Sequence, residues 1–356
     1  MVLTEDKKMK IRTYGYITHK EAEHYSDCAD RYAVKTENNR FAIADGVSKS
    51  FFPDLWADIL VNDFVLTNKD DQFSIEKCQA EWLKQVAEKV QHPNVKWYTK
   101  NAFIRNESGL ATFVTLCFED KKWCANALGD SFLFFVPKGS TVFDDWVKLS
   151  SKPEPVVFDS FPDYYSSRNK KHGEEKSIER DLTPGTFYLM TDALSEWVFN
   201  QKEKAIDEIK KWNNQTEFER SITELRSLNY LNNDDSAILI IELEDDGNHD
   251  FTYDKTEIQS IYELVEDEKE KFIKQGTVEE KKESPIEEGE IKSESGKTIE
   301  QPQAQNNSTQ QNDKKKQKKF KKALIDCKTQ LKPFSKEDRE KIINALCKEY
   351  GISLSD

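Results

Sequence analysis

The sequence has no Cys-x-x-Cys pair and no zinc-type spacing among its 6 cysteines, Cys28, Cys78, Cys117, Cys124, Cys327 and Cys347. That excludes a zinc ribbon and a thioredoxin-like redox motif, and reduced thiols are expected. Its 5 histidines, His19, His24, His92, His172 and His249, are scattered, and no two stand at ligand spacing. Long apolar runs are absent too. A stretch such as Ala237 to Ile241 is far too short to cross a bilayer. Residues 1–15 lack an apolar segment, so no secretory signal is expected and a cytoplasmic protein is. Excess positive charge is missing as well: the net charge is -13, which argues against a nucleic-acid binder.

What is present is unevenly spread. Hydrophobic residues make up 37% of the 356 residues and charged residues 33%. The apolar ones concentrate before Leu243, which implies a folded part followed by a polar one. In the first part, Arg31 to Val34 and Arg40 to Ala44 read as a hairpin turning at Glu37-Asn-Asn39. Pro53 opens a helix with Trp56, Ile59, Leu60 and Phe64 on one face. Ser74 to Gln91 is a second helix, striped by Ile75, Cys78, Trp82, Val86 and Val90. Strands are expected at residues 112–118, 122–127, 132–136, 186–190 and 236–243, and helices at 194–199, 202–212 and 217–228. The stretch 137–184, rich in Pro, Ser, Asp and Lys, is expected to wander over the surface. Grouped strands with inserted helices argue for an α+β fold with antiparallel sheet.

The boundary of this part is placed at residues 10–245. A charged helix is expected within 246–274, over about Thr256 to Phe272. Residues 275–322 have almost no aromatics and read as a disordered linker, ending in the basic run Lys314 to Lys322. Residues 323–356 are expected to form a short helical segment. Ser335-Lys-Glu-Asp338 resembles a capping box there, Ile342, Ile343, Leu346 and Tyr350 share a face, and Gly351 is a stop. This tail could recruit a protein partner.

The chemistry lies in aspartates at strand ends. Asp30 leads into Arg-Tyr-Ala-Val, Asp45 follows Phe-Ala-Ile-Ala, and Asp130 sits in Leu-Gly-Asp-Ser. Asp192 follows Phe-Tyr-Leu-Met-Thr, while Asp234 and Asp235 precede Ser-Ala-Ile-Leu-Ile-Ile. Aspartate is common in such places because it satisfies backbone donors, so any one of them alone means little. Gathered at one sheet edge, however, they would repel one another unless their pKa values rose or cations bound. Oxygen-only donors suit Mg²⁺ or Mn²⁺ rather than zinc.

Their order along the chain resembles the protein phosphatase 2C family. Phe41-Ala-Ile-Ala-Asp-Gly-Val47 is similar to its Ala-Asp-Gly motif. Gly109-Leu-Ala-Thr112 and Trp123-Cys-Ala-Asn-Ala-Leu-Gly-Asp-Ser131 resemble its Gly-Ala-Thr and Ala-Asn-x-Gly-Asp-Ser motifs. Phe187-Tyr-Leu-Met-Thr-Asp192 and Asn233-Asp-Asp-Ser-Ala-Ile-Leu-Ile240 resemble its two late motifs, and Cys28-Ala-Asp-Arg-Tyr-Ala-Val34 its opening segment.

The resemblance implies two packed antiparallel sheets flanked by helices, with a site for two Mn²⁺ or Mg²⁺ ions at one edge. It implies that Asp45 bridges both ions and that the Gly46 carbonyl binds one. Asp192 and Asp234 would bind the first ion, Asp30 would reach the second through water, and Asp130 matches a third, weaker position. The implied activity is hydrolysis of phosphoserine and phosphothreonine in a phosphorylated protein substrate, with Asp45 and Asp192 as the catalytic pair. The alternative is a weak or inactive member that binds phosphoproteins.

Several positions depart from the family. Tyr25 stands where an Arg often grips phosphate, with Lys20, Arg12 or Arg31 as substitutes to consider. Ala29 replaces a Glu, Ala193 replaces a Gly, and Val47 replaces the His of eukaryotic members. The interval from Asp130 to Asp192 is short for the family, which suggests a reduced flap.

Overall fold

The structure, a computed structural model, describes residues 9–68, 71–119, 121–159, 161–245 and 251–280. The expected linker beyond residue 280, its basic run and the final helical segment lie outside the described residues.

The hairpin forms as expected. Strands β2 (Arg31–Lys35) and β3 (Arg40–Ala44) follow β1 (Met9–Thr18). The hairpin closes through Asn39 in the left-handed region at φ 52°, a conformation that Asn tolerates better than most residues. Helix α1 (Pro53–Leu66) buries Trp56, Ile59, Leu60 and Phe64. Helix α2 (Ile75–Gln91) is capped by the Ser74 hydroxyl, which accepts from the Lys77 N–H at 3.3 Å. It buries Cys78, Trp82, Val86 and Val90. A further helix, α3 (Trp97–Ile104), buries little beyond Ala102, which is why apolar periodicity does not reveal it.

Next come β4 (Leu110–Ala111), β5 (Phe113–Glu119), β6 (Lys122–Leu128) and β7 (Phe132–Pro137). The stretch 137–184 is not only surface loop. It contains β8 (Val147–Leu149), β9 (Tyr165–Ser166) and β10 (Lys176–Asp181), which pair with β7, β4 and β6 respectively. Edge pairing supplies the hydrogen bonds there, so little apolar patterning is needed. After β11 (Gly185–Met190) come α4 (Asp192–Gln201), α5 (Glu203–Ile209) and α6 (Gln215–Ser227), then β12 (Ser236–Asp245).

The chain returns to the sheet after the expected boundary at 245. Strand β13 (Thr252–Ile258) pairs in parallel with β1, and α7 runs over Ile261–Glu280. The expected helix therefore starts later and ends later. The β-branched Thr252, Thr256 and Ile258 complete an open sheet edge first, and Ile261 and Leu264 then enter the main core.

Two sheets result. One has six strands in the order β13-β1-β12-β11-β7-β8, the other five in the order β10-β6-β5-β3-β2. Apart from the β1–β13 pair, neighbours run antiparallel. The inner faces meet over Ile11, Ile43, Leu116, Phe118, Trp123, Phe135, Phe187 and Ile241. Aromatic rings tie them: Phe187 lies 4.5 Å from Phe135, 5.0 Å from Trp123 and 5.6 Å from Phe118, centroid to centroid. Helices α4 to α6 cover the outer face of the six-stranded sheet, and α1 and α2 that of the other. This is the α+β sandwich flanked by helices that the sequence leads one to expect. Each fully buried large apolar side chain contributes about 1.5–3 kcal/mol. No helix among the described residues is long and apolar enough to cross a membrane.

Candidate active site

The register places the aspartates. Arg31 pairs with Ala44, so Asp30 before β2 and Asp45 after β3 share one end of the five-stranded sheet. Met190 pairs with both Phe132 and Ile238, so Asp130, Asp192 and Asp234 share one end of the six-stranded sheet. The two ends meet: the Ala29 N–H donates to the Asp235 carboxylate at 2.8 Å, and the Thr112 hydroxyl lies 2.7 Å from that of Ser131.

Close backbone packing holds this edge. A side chain at Gly46 would bring its Cβ to 2.8 Å from the Ala29 carbonyl oxygen and 2.9 Å from that of Pro53. Only glycine lets the Asp45 turn lie between the entry to β2 and the start of α1. The Thr112 N–H donates to the Asp45 carbonyl at 2.9 Å, and the Val47 N–H to Leu110 at 2.9 Å. The Thr112 hydroxyl accepts from the Asp45 N–H at 3.3 Å and lies 2.7 Å from the Ser131 hydroxyl. It thereby joins the Asp45 turn to the Asp130 turn. Gly129, at φ +110°, packs against Thr112 and gives Asp130 its approach.

The electrostatics are those of crowded acids. Asp30 is 1% exposed, and neither of its carboxylate oxygens has a hydrogen-bond partner. Burial pushes it well above the ordinary range, Asp235, Asp192 and Asp234 push further, and the nearby Thr191 hydroxyl opposes them weakly. Asp45 is raised likewise by burial, then by Asp192, Asp30, Asp130 and Asp234. Asp192, at the first turn of α4, rises to about 8 through burial, Asp130 and Asp234, although the Ala193 N–H donates to it at 2.6 Å. Asp130 rises to about 6 by burial, with Lys152 opposing, and its Oδ1 is unpartnered. Asp234 is more open. It accepts from the Asp235 N–H at 2.8 Å and pairs with the Lys20 ammonium at 2.9 Å.

Two residues on this edge have holding roles that the sequence did not show. Asp235 accepts from the Lys20 N–H at 3.0 Å and the Ala29 N–H at 2.8 Å, which fixes the chain entering β2. Arg226 donates to the His19 carbonyl at 2.9 Å and to the Asp234 carbonyl. Of the three cations considered as substitutes for an Arg, Lys20 reaches the carboxylates. Arg12 is engaged by Asp254, Glu242 and Glu244, and Arg31 by the carbonyls of Cys28 and Asp30. Tyr25 turns its hydroxyl to Glu219. Ala193 stands inside α4, and its φ is not positive, so the missing Gly costs nothing there.

No family model matches the chain, and no curated protein does. Among solved structures, it is similar to PppA, described as a key regulatory component of the T6SS in Pseudomonas aeruginosa. That match has 15% identity, 67% of this chain, 100% of that chain and a TM-score of 0.45. It is also similar to the serine/threonine phosphatase PstP/Ppp of Mycobacterium tuberculosis, at 13% identity, 66% of this chain, 99% of that chain and a TM-score of 0.43. A PstP catalytic domain in complex with 2 manganese ions matches at 12% identity, 66% of this chain, 99% of that chain and a TM-score of 0.41. Likeness at this level carries nothing about activity.

The donors can be tested directly for their fit to divalent ions. Among the described residues no group of three or more His, Cys, Asp or Glu side chains is placed so that it could hold a metal ion. Asp234 is engaged by Lys20 and Asp192 by its own helix. Yet buried carboxylate oxygens without hydrogen-bond partners are costly, and Asp30 and Asp130 present them to a set of like charges. A purely oxygen donor set with that imbalance fits a hard cation.

Proposed function

We propose that this chain is a metal-dependent phosphatase that hydrolyses phosphoserine and phosphothreonine in phosphorylated proteins. The observation that supports it is the gathering of Asp30, Asp45, Asp130, Asp192 and Asp234 at one end of the sandwich, with both Asp30 oxygens unpartnered. In this reading Asp45 and the Gly46 carbonyl would hold Mn²⁺ or Mg²⁺. Asp192 and Asp234 would complete the hold on a first ion, Asp30 would serve a second, and Asp130 a third, weaker one. Bound ions of this kind make hydroxide available at neutral pH and offset charge on the phosphoryl group.

The chain's own contribution is placement. The Gly46 clamp keeps Asp45 from drifting, and the Thr112 hydroxyl ties it to the Asp130 turn. Asp235 and Arg226 hold the backbone around Asp234 and Lys20. Fixed donors need no reorganisation during reaction, which is where such sites gain their rate. Dephosphorylation of this kind opposes a kinase, and we place it in the cytoplasm.

A second reading keeps the fold and drops the turnover, leaving a phosphoprotein-binding module. The Lys20–Asp234 ion pair favours it, since Asp234 is then already neutralised. Hydrolysis of p-nitrophenyl phosphate and of a phosphothreonine peptide, with Mn²⁺, with Mg²⁺ and with EDTA, separates the two. Metal-dependent turnover that disappears in Asp45→Asn and Asp192→Asn supports the enzyme. Folded protein without turnover in either metal sinks it.

A further inference from the structure

Lys20 is held with unusual care for a surface-loop lysine. Its N–H donates to Asp235 at 3.0 Å, and the next N–H, of Glu21, donates to the Asn233 side chain at 2.8 Å. Arg226 grips the carbonyl before it, on His19, at 2.9 Å. The turn is therefore fastened to the segment that carries Asp234. The side chain is only 16% exposed. Its ammonium meets the Asp234 Oδ1 at 2.9 Å and the Ser48 Oγ at 2.6 Å.

An ammonium and a divalent ion cannot share one carboxylate oxygen without repelling each other. Beside this pair, Asp30 is almost fully buried with both oxygens unpartnered, so the edge has more negative charge than Lys20 can answer. We propose that Lys20 competes with a divalent cation for Asp234, and that the displaced ammonium, still held by Ser48, then binds the anionic oxygens of the substrate phosphate. This rests on the phosphatase reading and deepens it. Lys20 weakens metal binding when substrate is absent and strengthens phosphate binding once metal is present. An ammonium has three N–H donors, and giving up Asp234 frees one or two of them for phosphate while Ser48 keeps the chain in place.

The signature is two affinities moving in opposite directions in a single variant. Calorimetric titration of the full chain with Mn²⁺, and then with inorganic phosphate at saturating Mn²⁺, reads both. In Lys20→Gln, Mn²⁺ binds about tenfold tighter and phosphate about tenfold weaker. The KM for a phosphothreonine peptide rises with phosphate Kd, and kcat changes less. Lys20→Arg restores phosphate affinity, and Ser48→Ala weakens phosphate while leaving Mn²⁺ unchanged. A purely structural lysine would lower both affinities together or neither, and either result in folded Lys20→Gln overturns the proposal alone. If the unaltered chain takes up no Mn²⁺, the phosphatase reading fails first and takes this proposal with it.

Discussion

The two sheets bring different kinds of carboxylate to the same edge. From the five-stranded sheet come Asp30 and Asp45, enclosed by backbone and raised well above the ordinary range, with Asp30 lacking any hydrogen-bond partner. From the six-stranded sheet come Asp192 and Asp234, which already have answers close by: the Ala193 N–H for one, Lys20 and the Asp235 N–H for the other. Asp130 stands between these cases, with one bare oxygen and Lys152 nearby. Under the proposed function the demand for a cation would therefore be uneven, coming chiefly from the β2–β3 hairpin, with the β11–β12 side as donors to be recruited.

The comparison can be broken at several points. The largest effect belongs to Asp45→Asn, for which turnover falls more than about 100-fold, beyond the usual loss for a residue that only supports a ligand. Gly46→Ala drives a methyl group into two carbonyl oxygens that belong to backbone and cannot swing aside. It costs about 1–3 kcal/mol, read as a lower urea midpoint, and turnover falls with it. Thr112→Val removes the hydroxyl shared by the Asp45 turn and Ser131. Leaving those groups unpaired costs about 1–2 kcal/mol by the same measurement.

The smallest effects carry the sharpest contrast, because they differ in sign. In EDTA, Asp30→Asn raises the melting midpoint by the equivalent of about 1 kcal/mol, since a buried charge without partners is removed. Asp234→Asn under the same conditions lowers it by less than about 1 kcal/mol, because Lys20 loses its partner on a part-exposed pair that solvent screens. Equal shifts in both variants would mean that the two sheets contribute alike.

Much of this was legible in the sequence, for definite reasons. Asn39 marks the β2–β3 turn and Pro53 the start of α1 through local chemistry, and Ser74, expected as the first residue of α2, proves to be its cap. The aspartates stood out because each follows or precedes an apolar strand. Strand β1 was hidden because Lys10, Arg12 and Gly15 interrupt its apolar pattern, and its partner lies far along the chain, with Met9 opposite Asp245. Strands β8, β9 and β10 were hidden because edge pairing asks little of composition. At the site, Asp234 and Asp235 look equivalent in sequence. Only the folded chain shows one turned to Lys20 Nζ and the other to the backbone of Lys20 and Ala29. The Thr112–Ser131 contact joins two turns by packing, and neither motif implies it alone.

The most direct measurement is anomalous diffraction from crystals soaked in Mn²⁺. The account predicts peaks at the carboxylate end, one of them about 2.0–2.2 Å from an Asp45 oxygen, with the Lys20 ammonium drawn away from Asp234. Peaks only at surface acids away from Asp45, with Lys20 still on Asp234, would contradict it.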